Sequence, residues 1–358
     1  MSASAVFAIG VTEENKNLHL IEIPRRAVGP NDVHIDIEYC GMCHSDLHHC
    51  RQEWGETKKP SVPGHEIVGR VTAVGSAVTK FKVGDAAGVG CFVDSCRTCA
   101  ECKDDLIQYC EKGVIGTYGN KTADAPGHTL GGYSQAIVVD QDYVLRIPDN
   151  LDLAAAAPLL CAGITVWSPM KHYGVKAGSK VAVLGLGGLG HMAVKFAKAF
   201  GAHVTVLSRS PSKSKEALDL GAENVLITSD DAAFKAAARS FDFIVDTVSA
   251  EHDLAAYLSL LKTDGTHILV GGSPVPFDLP AFALIMKRIK VGGSLVGGIK
   301  ETQEMLDFCG QTGIVSEIEL VKAGYAEKAW ERMLKSDVKF RFVLDIKGSL
   351  NKETVVDI

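Results

Sequence analysis

The sequence predicts an α/β chain made of a β-rich, barrel-like domain joined to a doubly wound parallel-sheet domain. Three observations predict this. Residues from about 5 to 150 carry short β-type runs broken by Gly and Pro. From about 155 to 293, apolar β-branched runs alternate with helical stretches, the pattern of parallel strands covered on both faces. A glycine-rich hexapeptide stands between the first of those runs and a helix.

In the first stretch, residues 33–38, 67–74 and 143–147 partly alternate apolar and polar, as half-buried strands do, with Pro63-Gly64 and Gly84-Asp85 as turns. In the second, 181–184 reads as a strand, 188–200 as a helix, 204–207 as a strand and 212–220 as a helix. Strands at 243–245 and 268–270 follow, with a helix over 254–261 between them. Beyond 294, helices over 301–309 and 326–335 and a strand over 340–345 are too short to form a domain alone and are expected to return to the first. The expected division is 1–154, with a cysteine lobe at about 91–115, then 155–293, then 294–358. There is no internal repeat and no low-complexity linker.

Composition excludes several function classes. The 358 residues are 46% hydrophobic and 22% charged with a net charge of −6. That balance argues against a nucleic-acid binder, which needs a basic stripe, and against a polybasic membrane-surface protein. No stretch reaches the roughly 18 consecutive apolar residues of a membrane-spanning helix. The first ten residues lack a basic segment and a long apolar one, so a cytoplasmic protein is expected. Ten cysteines in that setting point to metal or chemistry rather than to disulfides.

Four of them, Cys96, Cys99, Cys102 and Cys110, follow C-x2-C-x2-C-x7-C spacing. Two-residue gaps aim successive thiolates at one point, and four thiolates around a zinc leave no open position, so this is a structural site. An iron–sulfur cluster uses similar spacing, although no Pro follows the fourth cysteine here. A second, dispersed set comprises Cys43, His65 and Cys161. Two cysteines and one histidine fit the three-ligand pattern of a catalytic zinc with an open position. Spacing alone leaves a satisfied core histidine at 65 and a buried thiol at 161 as alternatives.

The glycine-rich segment is Gly185, Leu186, Gly187, Gly188, Leu189 and Gly190, between a strand and a helix. That is the dinucleotide fingerprint, in which the glycines admit a pyrophosphate to the helix N-terminus. A purely structural glycine turn is the alternative. After the next strand, where an NAD site places an acid for the ribose 2′-hydroxyl, the chain has Ser208, Arg209, Ser210 and, further on, Lys213. Cations and hydroxyls suit a 2′-phosphate, so NADP(H) is the expected cofactor, unless Arg209 and Lys213 are only a solvated helix start.

Taken with Cys43 to Asp46, Gly64 to Glu66, Gly127 to Tyr133 and Ala157 to Gly163, these motifs make the whole chain resemble the zinc-dependent medium-chain dehydrogenases, in their cinnamyl-alcohol-dehydrogenase-like branch. The resemblance implies a GroES-like β-barrel catalytic domain and a Rossmann domain. It also implies two zinc ions per chain and reversible reduction of aldehydes to alcohols with NADPH. Cys43, His65 and Cys161 become the catalytic zinc ligands, with Glu66 able to enter the coordination sphere and Asp46 orienting His65. Ser45 corresponds to the hydroxyl that touches the reacting oxygen, and His48 to the far end of a proton relay. His44 corresponds to a cofactor-phosphate contact, Thr165 to a nicotinamide contact and Arg341 to a pyrophosphate contact.

One departure bears on substrate. Members acting on phenylpropenyl aldehydes commonly carry Trp two residues before the Tyr that follows the cysteine lobe, and here Gly116 precedes Tyr118 at that place. Trp54 is expected near the pocket wall or as a packing residue. Broad aromatic and aliphatic aldehyde specificity is therefore expected. Alternatives are a same-fold enzyme for a polyol, enal or iminium, and a non-catalytic dinucleotide-binding protein. Cys40, Cys50, Cys91 and Cys309 read as packing residues, with Cys91 a candidate for the pocket lining. His49, His128 and His191 have no assigned role. The run 292–298 is expected as an edge strand at a homodimer interface, the pairing seen in the family.

Overall fold

The computed structural model describes residues 4–357. They divide into two units, residues up to Cys161 together with those from Gly297 onward, and Ala162–Val296. The divisions thus fall later than the expected 154/155 and 293/294. Residues 155–161 stay with the first unit because Ala155 accepts a hydrogen bond from Ser316 N (3.1 Å) and the buried Leu160 lies on Gly88 and Gly90.

The first unit is organised by the ten-residue strand Asp32–Gly41. Ile67–Val74 pairs along one edge of it. The other edge is shared, with Ala136–Asp140 on its first half and Arg341–Asp345 on its last three residues. The late-chain strand is thereby built into this sheet. Ala86–Val89 and Leu145–Arg146 extend the sheet on one side and Ile318–Lys322 on the other. A hairpin of Ser4–Gly10 and His19–Arg25, not expected from the sequence, forms a separate two-stranded sheet. Ile9, Ile35, Leu47, Tyr133, Trp330 and Phe342 fill the core. The strand expected at 143–147 shortens to Leu145–Arg146, because the Asp140 carboxylate accepts from Asp142 N (2.9 Å) and turns Gln141–Tyr143 into a 3-10 helix.

The second unit is a six-stranded sheet, parallel throughout. Its order is Asn224–Ile227, His203–Ser208, Lys180–Leu184, Phe241–Asp246, Leu261–Leu269, Lys290–Gly293. The order reverses between the third and fourth strands, which makes the switch point where such sheets bind ligands at their carboxyl ends. The helix expected at 212–220 begins at Ser214, since Pro211 opens a 3-10 turn capped by the Ser210 hydroxyl. At the far edge Lys290–Gly293 is the strand, and Ser294 N makes the last hydrogen bond of its ladder, to Leu269 O (3.2 Å).

Helix Gly188–Ala199 presents Met192, Ala193, Phe196 and Ala197 to the interior. Phe196 is fully buried, with the Trp167 ring edge-on at 5.2 Å. Phe196→Ala should lower unfolding stability by about 3–5 kcal/mol through lost burial and a residual cavity. A denaturant midpoint unchanged from the parent would contradict this packing.

Candidate active site

Helix His44–Cys50 starts at Cys43, whose N–H donates to the Asp46 carboxylate (2.9 Å), a reciprocal capping arrangement. Asp46 is fully buried. It also accepts from Gly64 N (3.0 Å) and from the Tyr133 hydroxyl (3.1 Å), and lies 3.3 Å from His65 Nδ1. One carboxylate therefore ties the helix carrying Cys43, Ser45 and His48 to the turn carrying His65 and Glu66.

Cys161 follows the 3-10 turn Ala157–Leu160, and there the chain completes a cluster. Ligand atoms of Cys43, His65, Glu66 and Cys161 all lie within 4.8 Å of one another. Two sulfurs, an imidazole and a carboxylate form a donor set that zinc accepts. Glu66 Oε2 is buried without a hydrogen-bond partner, while Oε1 pairs with Arg341. Cys161 and the Arg341 charge hold the Cys43 thiol well below its ordinary value, against burial. Cys161 is pushed well up by Cys43, by Cys91 and by burial. Burial works against protonation of His65, but the charges of Cys91 and Asp46 outweigh it and raise its pKa well above the usual value. A thiol held toward its thiolate form and an orphaned carboxylate oxygen are what a bound divalent cation would satisfy.

The Ser45 hydroxyl lies 3.6 Å from Cys43 Sγ, next to the cluster. His48 follows on the same helix face and pairs through Nδ1 with Glu53, a partner without a sequence signal. Trp54 does not form a buried wall. It is 69% exposed and lies against the His48 ring at 5.0 Å. Gly116 is not simply a gap, because a Cβ there would meet Asn120 Oδ1 at 2.6 Å. Cys91 is half-buried beside the cluster, its sulfur directed at Leu160 O (3.9 Å). Cys40, Cys50 and Cys309 are buried as packing residues. His128 and His191 bond to backbone oxygens of Pro60 (2.7 Å) and Gly187 (3.3 Å), whereas His49 Nε2 is buried without a partner.

Arg341, expected as a pyrophosphate contact, is buried and pairs with Glu66, while its Nε is buried without a hydrogen-bond partner. Strand Arg341–Asp345 pairs with Asp32–Gly41, and Gly41 N donates to Glu66 O (2.9 Å) just before strand Ile67–Val74.

In the cysteine lobe, Cys96 and Cys102 sulfurs are 3.9 Å apart and Cys99 and Cys110 sulfurs 4.0 Å. Zinc–sulfur bonds of about 2.3 Å in a tetrahedron require sulfurs about 3.8 Å apart, so the four fit a zinc. Backbone N–H groups of Thr98 and Cys99 lower the Cys96 thiol to about 5, favouring the thiolate a metal binds.

In the second unit, Gly187 is exposed, and a Cβ added to it would meet nothing within 4 Å. A Cβ at Gly190 would strike Gly185 O at 2.1 Å. The first leaves room for a phosphate at the N-terminus of helix Gly188–Ala199, and the second lets the loop close on that helix. Lys213 Nζ reaches Leu186 O (3.5 Å), which brings its charge to the loop. Arg209 and Ser210 are exposed after strand His203–Ser208, and the Ser208 hydroxyl donates to Ser210 O (2.9 Å). Thr165 is buried in helix Ala162–His172. His44 is exposed in the first turn of its helix.

Residues 29–149 match the alcohol dehydrogenase GroES-like domain and residues 188–311 the zinc-binding dehydrogenase domain. The chain is 56% identical to NADP-dependent alcohol dehydrogenase C 1 of Mycolicibacterium smegmatis, over 96% of this chain and 98% of that one. It is 54% identical to the aldehyde reductase YahK of Escherichia coli, over 94% and 97%. A cinnamyl alcohol dehydrogenase from Sorghum bicolor superimposes with a TM-score of 0.94 at 47% identity, covering 98% of this chain and all of the other. With the two metal-ligand clusters and the glycine loop, these likenesses identify the chain as an oxidoreductase of the zinc-dependent medium-chain dehydrogenase family, in its cinnamyl-alcohol-dehydrogenase-like branch.

Proposed function

We propose that this enzyme reversibly reduces aldehydes to primary alcohols with NADPH, and accepts both aromatic and aliphatic aldehydes. The observation that carries the reading is the convergence of Cys43, His65, Glu66 and Cys161, with the Ser45 hydroxyl beside it. Cys43, His65 and Cys161 are assigned to an open zinc site with Glu66 as a further ligand, and Cys96, Cys99, Cys102 and Cys110 to a closed one. When bound, zinc supplies a Lewis acid for the carbonyl oxygen and the dihydronicotinamide supplies a hydride for its carbon.

The chain's own groups do the rest. Asp46 holds the Cys43 and His65 supports in register. Ser45 donates a proton toward the oxygen that gains charge. His48, partly exposed and paired with Glu53, exchanges that proton with solvent. Arg341 holds one Glu66 oxygen and leaves the other buried without a hydrogen-bond partner.

Gly185 to Gly190 receive the pyrophosphate, while Ser208, Arg209, Ser210 and Lys213 receive a 2′-phosphate. Thr165 and His44 are assigned to nicotinamide and phosphate contacts. Absence of a large side chain at 116 and the exposed Trp54 favour a broad aldehyde range over a strict one. Exposed Phe282, Ile285 and Met286, with the edge strand Lys290–Gly293, support a homodimer through this unit. Six thiolate ligands require a reducing compartment, which supports a cytoplasmic location.

Metal analysis should find two zinc ions per chain. Cys43→Ala should leave one and abolish turnover, whereas full zinc occupancy in that variant would remove Cys43 from the site. NADPH should exceed NADH in kcat/KM by about tenfold or more, as one or two charge-assisted hydrogen bonds to a phosphate predict. Ser208→Asp should move the preference toward NADH, and an unaltered ratio would refute the phosphate assignment. A panel of cinnamaldehydes, benzaldehydes and linear aldehydes tests the range, and activity confined to one of these groups would refute it.

A further inference from the structure

We propose that Tyr118 is a positioning residue for His65, its hydroxyl fixing the imidazole tautomer and ring orientation that a zinc ligand needs. The proposal rests on the reading of Cys43, His65 and Cys161 as ligands of the open zinc site.

His65 Nδ1 faces two partners, the Tyr118 hydroxyl at 3.1 Å and Asp46 Oδ1 at 3.3 Å. The nitrogen left for a metal is Nε2. For Nε2 to offer its lone pair, the proton must reside on Nδ1 and be accepted there. Asp46 is the expected acceptor, but it already serves Cys43 N, Gly64 N and the Tyr133 hydroxyl at 2.9–3.1 Å, and its contact with His65 is the longest of the four. Tyr118 is closer. Its oxygen lies within hydrogen-bond distance of Nδ1 and accepts from Nδ1–H. The phenol oxygen is therefore the nearer partner of a ring nitrogen that the carboxylate serves only in part.

The loop is built to hold Tyr118 there. Thr117 N donates to Cys91 O (3.0 Å) and the Thr117 hydroxyl to Gly90 O (2.5 Å). On the other side Gly119 N donates to Thr129 O (2.9 Å). Gly119 has φ +78°, and a Cβ on it would lie 2.3 Å from the His49 ring. Only glycine lets the chain approach His49 so closely, and that approach seats the Tyr118 ring against His49 at 4.8 Å. Tyr118 thus has packing on one face and a hydroxyl aimed at His65 from the other side.

The test is zinc release from the holoenzyme to a chromogenic chelator. Wild-type protein should release two zinc ions in two phases, and the phase missing in Cys43→Ala identifies the open site. Tyr118→Phe keeps the ring and removes only the oxygen. It should speed the open-site phase about tenfold or more, the usual size for loss of an outer hydrogen-bond partner, and leave the four-cysteine phase unchanged. In the cobalt-substituted enzyme, the visible bands of the open site should shift in the same variant. The proposal is overturned by a Tyr118→Phe open-site rate within about twofold of wild type, well below the effect such partners produce. It is equally overturned if both phases accelerate together, or if only Tyr118→Ala accelerates release, because packing rather than the hydroxyl would then hold His65. A wild-type protein with zinc only at the four cysteines would instead bring down the site reading itself.

Discussion

Asp46 carries a negative charge into a place with no exposure to solvent, and every donor around it belongs to the site. A buried carboxylate is costly unless its lone pairs are filled, and here a helix N-terminus, a turn, a phenol and an imidazole fill them. The converse is that these four groups are held where the carboxylate needs them. Cys43 and His65 are 22 residues apart in sequence, and they share one anchor. The shared anchor holds the two side chains in one geometry, as partners outside a ligand set do.

Glu66 and Arg341 form a second buried pair in the same unit. The arginine comes from the end of the chain and is delivered by a strand paired to Asp32–Gly41, the strand that runs directly into Cys43. Removing either partner would leave a lone charge in a low-dielectric interior. The C-terminal segment is thus part of the surroundings of the cluster. The closed cysteine lobe differs in kind, since its four sulfurs satisfy one another's geometry locally over fifteen residues and need no help from distant strands.

The glycine-rich loop shows the same division of labour on a smaller scale. Its glycines are required for two separate physical reasons, open space at Gly187 and backbone contact at Gly190. The charge around it comes from Lys213 and the serine-rich turn after the second strand. Together they offer N–H groups, hydroxyls and cations, and no carboxylate from Ser208 to Lys213, which is the environment a doubly charged phosphate requires.

Local features of this protein were determined by sequence alone. Parallel strands announced themselves as apolar runs because both faces are covered, and the cysteine lobe did so because all its ligands lie within one turn-rich segment. The glycine loop was legible because its strand and helix flank it directly. What only the tertiary structure decided depends on partners distant in the chain. Spacing left His65 and Cys161 open to a packing role, and their convergence with Cys43 required the strands that bring 43, 65 and 161 together. No local pattern could show that Arg341 turns to Glu66 or that Tyr118 reaches His65. Hydrogen bonds and ion pairs act over about 3 Å, so they are set by register and loop closure, which a linear pattern of residues does not record.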